Sequence, residues 1–225
     1  MPACPLCRAS TTSLLYTQQR GPLSQREYYR CHQCQLIHVP PVFHLDNAAE
    51  KYIYDLHQND PNDSRYREFL RRLFEPMRER LPASATGLDF GSGPGPALSC
   101  MFNEAGLTCQ TYDIYYDNVP ERLAVTYDFV VCSEVIEHVA KPLEGFQQLL
   151  NCLKTGGLLG VMTQRWTSTD RFPGWGYRND PTHVSFFHEQ TFVYLATKFG
   201  LELTIYPRDV VIFKKPQVAT KDSNA

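Results

Sequence analysis

The sequence predicts an α/β chain: a doubly wound, mostly parallel sheet that ends in an antiparallel hairpin, preceded by a small cysteine-rich module. Three observations lead there. Strand-like and helix-like segments alternate from Thr86 to Lys215, the first of those strands runs into a glycine-rich turn, and four of the eight cysteines fall as two Cys-x-x-Cys pairs at the start of the chain. Strands that alternate with helices imply parallel pairing through crossover connections. With 225 residues, 43% of them apolar, the chain is long enough for one medium domain with an appendage and too apolar to be disordered. Its 22 basic and 24 acidic residues give a net charge of −2, which does not indicate a strongly basic nucleic-acid binder. No apolar run reaches the ~18 residues of a membrane span. The start, Met1-Pro2-Ala3-Cys4-Pro5, lacks the charged-then-apolar order of a leader. The expectation is a cytoplasmic protein without a membrane segment, in a reducing compartment where cysteine pairs hold metal more often than they form disulfides.

Taken in order, the elements begin with Cys4-x-x-Cys7 and Cys31-x-x-Cys34, separated by 23 residues. Two such knuckles can set four thiolates at the corners of a tetrahedron, the geometry Zn²⁺ prefers. Residues 1–40 are therefore expected to form a zinc ribbon with a structural ion. His32 and His38 are left out because four thiolates close the site. The ribbon could be a structural staple or a substrate-docking module, and Arg8, Arg20, Arg26 and Arg30 against Glu27 would permit contact with RNA. The remaining cysteines, Cys100, Cys109, Cys132 and Cys152, read as buried small hydrophobes. Residues 41–84 form a connector and a helix. Val39-Pro40-Pro41-Val42-Phe43 rules out helix interior. Ser64 to Leu81 then carries Tyr66, Phe69, Leu70, Leu73, Met77 and Leu81 at helical spacing, with Asn62, Asp63 or Ser64 as the cap and a kink expected at Pro76.

Residues 85–215 hold the alternating part. Gly87-Leu88-Asp89-Phe90 is a strand, Ala97–Ala105 a helix stopped by Gly106, Leu107–Asp113 a strand, and Tyr127–Ser133 a buried strand. Pro142–Leu153 reads as a helix ended by Gly156-Gly157, Leu158–Thr163 as a buried strand, and His188–Phe199 as a helix stopped by Gly200. Leu201–Tyr206 and Val210–Lys215 complete a hairpin, and residues 216–225 read as a flexible tail. Gln164–Phe187 is a long loop with Trp166, Trp175, Tyr177, Arg178, Asp180 and His183. It suits either substrate contacts or a lid on the core.

The turn after the first strand fits neither the dinucleotide fingerprint nor the phosphate-loop pattern. Leu88-Asp89-Phe90-Gly91-Ser92-Gly93-Pro94-Gly95 instead resembles the first motif of class I S-adenosylmethionine-dependent methyltransferases. Asp113 at the end of the next strand, Tyr127-Asp128-Phe129-Val130-Val131-Cys132-Ser133-Glu134-Val135-Ile136-Glu137-His138-Val139, and Leu153-Lys154-Thr155-Gly156-Gly157-Leu158-Leu159 are similar to that family's later motifs, in order. The resemblance implies a Rossmann-like class I fold that binds S-adenosylmethionine through Asp89, Gly91, Gly93, Gly95, Asp113 and Glu134. Backbone amides of the turn and of the helix start after it would face the carboxylate of the donor, and Asp113 its ribose. Only 13 residues separate Asp113 from Tyr127, too few for the family's usual helix, strand and helix, so the third strand should be abbreviated.

Glu134, Glu137 and His138 are similar in spelling to metal-assisted O-methyltransferases that act on ubiquinone precursors or on small RNAs, and His183 is the candidate further ligand. Two readings stay open. These four residues hold a second divalent ion, Mg²⁺ or Mn²⁺, or they shape a metal-free pocket in which His138 or His183 is the general base beside Glu137. The acceptor is expected to be a small molecule, with RNA docked through the ribbon and the arginine-rich face of the Ser64–Leu81 helix (Arg65, Arg71, Arg72, Arg78, Arg80) as the alternative, and a methyltransferase-like binding module without catalysis as a third reading.

Overall fold

The computed structural model describes residues 1–56 and 59–217. Its main sheet has six strands in the order β5-β4-β6-β7-β10-β9. They are β4 (Thr86–Phe90), β5 (Thr108–Tyr112), β6 (Tyr127–Ser133), β7 (Leu153–Met162), β9 (Glu202–Ile205) and β10 (Val210–Lys214). β4, β5, β6 and β7 pair in parallel, and β10 runs antiparallel to both β7 and β9, as the hairpin required. The sheet stops at β5. In place of a further strand there is only an isolated bridge between Asp113 and Asp117 and a 3-10 turn at Pro120–Ala124, so the abbreviated third strand is found.

Period-two packing explains the near-continuous apolar run of β6. Phe129 and Val131 face α2 (Ser64–Arg78) and α3 (Ala97–Glu104), where Leu70, Leu73, Met77, Met101 and Phe102 meet them. Val130 and Cys132 face α4 (Pro142–Asn151) and α5 (Glu189–Phe199), against Phe146, Leu149, Phe192 and Leu195. Gly200 closes α5 in left-handed backbone at φ 63°.

Several boundaries differ from expectation. Helix α4 stops at Asn151, short of the Gly156-Gly157 pair, because Leu153 already pairs with Tyr127 and strand β7 starts there. Pro76 lies in the last turn of α2, which runs only two residues past it. The connector after Val39 contains a helix that the sequence reading left out, α1 (Asn47–Asp55), whose cap Asp46 accepts from the Ala49 amide at 2.8 Å. Cys109, Cys132 and Cys152 are buried, but Cys100 is only half-buried. Most of the expected tail, residues 218–225, lies outside the described residues. No helix among the described residues is long and apolar enough to cross a membrane.

The second sheet joins distant parts of the chain. Strands β1 (Thr12–Thr17), β2 (Glu27–Cys31) and β3 (Ile37–His38) are extended by β8 (Ser185–Phe186), from the long loop, in the order β1-β2-β3-β8. Tyr28, Ile37 and Val39 share an apolar cluster with Trp166, Phe172, Val184 and Phe186.

Close approach in the main sheet gives a test. A Cβ at Gly87 would overlap the Phe129 ring, which is itself packed on Phe102 with ring centroids 4.7 Å apart. Gly87→Ala should therefore lower stability by about 1–3 kcal/mol, the usual range for overpacking, seen as a fall in Tm.

Candidate active site

The four thiols of the amino-terminal module converge. Cys4 Sγ lies 3.6 Å from Cys34 Sγ and Cys7 Sγ lies 3.4 Å from Cys31 Sγ. These spacings are near the ~3.8 Å edge of a tetrahedron with Zn–S bonds of about 2.3 Å and far from a disulfide. The two knuckles repeat one design. The Arg8 amide donates to Cys4 O at 2.9 Å and the Gln35 amide to Cys31 O at 3.0 Å, with Arg8 and Gln35 both left-handed at φ 63°. Neither His32 nor His38 belongs to the group.

The glycine turn leaves β4 at the carboxyl edge of the sheet. Gly91 and Gly93 have φ of 74° and 64°, which a side chain would resist. A Cβ at Gly95 would overlap the Asn59 carbonyl. The turn is locked to the next strand: the Gly91 and Ser92 amides donate to Tyr112 O at 2.7 and 3.2 Å, and the Gly93 amide to Asp113 Oδ2 at 2.9 Å. Those three amides are bonded inside the fold. What the turn presents instead is the Ser92 hydroxyl, buried and without a hydrogen-bond partner. Asp113 also accepts from the Tyr115 and Tyr116 amides at 2.8 and 3.1 Å. Asp89 sits below the turn, 3% exposed, accepting from the Ser99 amide at 3.1 Å near the start of α3. Burial pushes its carboxyl up to about 7, assisted by the nearby Asp113 charge.

A cavity of about 670 Å³ opens over this turn. Gly91, Ser92, Gly93 and Asp113 line one end, and Glu134, His138, Asp180 and His183 line the other. Glu50 and Tyr54 of α1 roof it. Glu50 reaches across to Tyr115, whose hydroxyl donates to it at 2.6 Å. Among the described residues, no lysine or arginine lines this space.

Glu134 follows β6 in left-handed backbone, φ 52°, its amide held by Met162 O at 2.7 Å. Such a conformation at a glutamate costs about 1–3 kcal/mol and clusters at functional sites. Its Oε2 accepts from the Tyr177 hydroxyl at 3.0 Å, and the same hydroxyl contacts Glu137 Oε1. Thr163 Oγ1 is 3.1 Å from that phenol. Burial pushes both carboxyls up, and the charge of Glu137 adds to the effect on Glu134. Glu134 Oε1 and Glu137 Oε2 are buried without a hydrogen-bond partner. The structure brings Glu137, His138 and His183 together, with ligand atoms all within 4.8 Å of one another; Glu134 is not in that group. The rings of His138 and His183 are 4.7 Å apart. His183 Nδ1 is 2.7 Å from Tyr177 O, which can only accept, so Nδ1 carries the proton of the neutral ring. Asp180 Oδ2 lies 3.8 Å from Nε2. Burial alone would raise Asp180, but Thr182 and His183 hold its carboxyl below the ordinary range.

A family profile described as a methyltransferase domain matches residues 62–205, from just before α2 to the end of β9. The chain belongs to this methyltransferase family. Its sheet matches a SAM-dependent methyltransferase from Archaeoglobus fulgidus with a TM-score of 0.52 at 18% identity, over 66% of this chain and 94% of that one. It also matches the 1,6-didemethyltoxoflavin-N1-methyltransferase of Burkholderia thailandensis, bound to 1,6-didemethyltoxoflavin and S-adenosylhomocysteine, with a TM-score of 0.51 at 12% identity, over 88% and 99% of the two chains. Both likenesses are of fold. Among curated proteins, a ubiquinone biosynthesis O-methyltransferase of Pseudomonas aeruginosa is 30% identical over 91 residues, 40% of this methyltransferase and 39% of the relative. One from Pseudomonas savastanoi is 29% identical over 75 residues, 33% and 32%. The chain thus spans about a third to two-fifths of the curated relatives it matches.

Sequence reasoning passed over Glu50, Tyr54 and Asn59, which approach the site from the segment read as a connector. Asp46 before Asn47-Ala48-Ala49-Glu50 was a legible cap signal.

The raised Asp89 carboxyl gives a pH dependence. Its native value, about 7, exceeds the ordinary 3.8, so its contribution to stability is full below about pH 4 and lost as pH rises through 7. Glu134 and Glu137 act in the same sense. The Tm of the ligand-free protein should fall between pH 4 and pH 8, and Asp89→Asn should flatten that fall, read by thermal melts across the range.

Proposed function

We propose that this methyltransferase moves the methyl group of S-adenosylmethionine to an oxygen or nitrogen of a small-molecule acceptor. The observation that carries the reading is the single cavity in which the glycine turn with Asp113 faces the His138–Asp180–His183 group. The unpartnered Ser92 hydroxyl and the Asp113 carboxylate in the lining of the same cavity fit a donor with an amino-acid end and a ribose. S-adenosylmethionine supplies a methyl group already activated by its sulfonium, so the protein's share is alignment and one proton. Ser92 would donate to the carboxylate of the donor and Asp113 would accept from the ribose hydroxyls. Asp89 and Glu134 would set the shape and charge of the floor beneath. His183, with Nδ1 committed to Tyr177, would take the acceptor's proton on Nε2, and Asp180 would stabilise the resulting imidazolium.

A small acceptor is favoured by the absence of lysine and arginine among the described lining residues. The RNA alternative loses one of the ribbon's arginines, since Arg26 is buried. Cys4, Cys7, Cys31 and Cys34 would hold one structural Zn²⁺. In the alternative reading Glu137, His138 and His183 would hold a second divalent ion, which would lower the pKa of an acceptor hydroxyl and take the place of a base at His183 Nε2. Two imidazoles beside one carboxylate suit Mn²⁺ better than the harder Mg²⁺.

Calorimetry with S-adenosylhomocysteine tests donor binding. Asp113→Ala should weaken it roughly 10- to 100-fold, the scale of hydrogen bonds that involve a charge. Wild-type protein that fails to bind would leave only the non-catalytic reading. Against a small-molecule extract with labelled donor, His183→Ala should lower turnover by about 10²–10⁴, the range for a general base, with donor affinity unchanged. Metal analysis decides the second ion. Two equivalents per wild-type chain, falling to one in Glu137→Gln, support it; one equivalent in both leaves His183 as a metal-free base.

A further inference from the structure

The two ends of the cavity are supported by different parts of the chain. The donor end rests on β4, β5 and the turns that follow them. The acceptor end, with Tyr177, Asp180 and His183, hangs on the 164–187 loop, and that loop is fastened to the cysteine module. β3 pairs with β8 through Ile37↔Phe186 and His38↔Ser185, and the Val39 amide continues the ladder to Val184 O at 2.9 Å. Val184 in turn donates to Glu137 O at 2.8 Å. A continuous backbone path therefore runs from the second knuckle to the buried acid pair. Trp166 Nε1 donates to the carbonyl of Gln35, the residue after Cys34, at 3.1 Å. The Tyr28 hydroxyl donates to Arg178 O at 3.2 Å, and the Arg178 guanidinium contacts Gln18 Oε1.

Arg26 is the most telling residue of this seam. It is 2% exposed, and its guanidinium donates to the carbonyls of His183 at 2.5 Å and Asp180 at 3.3 Å. Burying a cation is costly, and here the two carbonyl bonds and the nearby Asp180 charge offset that cost. The two residues it holds are the proposed base and its carboxylate partner.

We propose that the cysteine module is the scaffold of the acceptor site, with Arg26 as the positioning residue that sets His183 and Asp180 and the four-cysteine metal as the pin that keeps the module in shape. The inference rests on the proposed function for the meaning of the acceptor site, but the coupling itself does not. The ribbon acts at the site from within the same sheet, without docking a substrate of its own.

The chain has two tryptophans, Trp166 and Trp175, and both lie in the fastened loop. Intrinsic tryptophan emission of the full chain thus reports on that loop. Chelation of the metal should shift the emission to the red, and added Zn²⁺ should reverse the shift. Arg26→Met should produce a similar shift in metal-replete protein, and Arg26→Lys, which keeps a donor, a smaller one. S-adenosylhomocysteine affinity should change by less than about threefold throughout, as for sites without shared partners. Emission that stays put on both chelation and Arg26→Met overturns the proposal. So does a shift accompanied by equal loss of donor affinity or of helical circular dichroism, which would mean that the whole fold depends on the module. If wild-type protein does not bind S-adenosylhomocysteine, the proposed function fails; emission and circular dichroism still decide the coupling.

Discussion

One phenol shared by two carboxyls organises this molecule. Tyr177 stands between Glu134 and Glu137, and Glu137 has no exposed surface at all. Glu137 lies in the 3-10 turn that follows β6, and a carboxyl buried there needs a donor. The donor comes from a loop that follows β7 and would have no fixed course by itself. Placing the phenol therefore requires the loop to be held, and the loop is held by packing its aromatic residues into the cysteine module. The main sheet, the loop and the module are three layers of one solution to the problem of putting two acids at the floor of a cleft.

Much of this was legible in the sequence because its signals are local. The alternating β6 run, Gly200 after α5 and the two Cys-x-x-Cys pairs each fix a short stretch by its own chemistry. The glycine turn and Asp113 were placed by their motif, and the lack of room between Asp113 and Tyr127 was enough to foresee the shortened sheet. What the sequence hid is non-local. Nothing in Val184-Ser185-Phe186 announces that it pairs with Ile37-His38, since two-residue strands carry no periodicity. Arg26 reads as one of several surface cations, and only the fold reveals that it is buried against a loop about 150 residues away in sequence. The partners of the Gly91, Ser92 and Gly93 amides were hidden for a similar reason: whether an N–H is spare depends on the neighbouring strand.

Loss of the third strand has its own compensation. The edge at β5 is finished by Arg122, which donates to Thr111 O at 2.6 Å and pairs with Asp117 at 2.5 Å. Beyond that edge α1 leans over the cleft, tied down by Tyr115 on Glu50 and by Tyr116 on Asp55 at 2.7 Å. Tyrosine–carboxylate contacts from a peripheral helix thus stand where a strand would otherwise extend the wall.

The fourth strand of the smaller sheet bears on how such a chain can be rearranged. With β8 removed, β3 would present an open apolar edge at Ile37 and Val39, the kind of surface that recruits other chains. Residues 1–40 are consequently not a portable cassette. A recombination event that moved them into another enzyme would have to carry the matching piece between β7 and α5 as well, so the two segments are constrained to be inherited together.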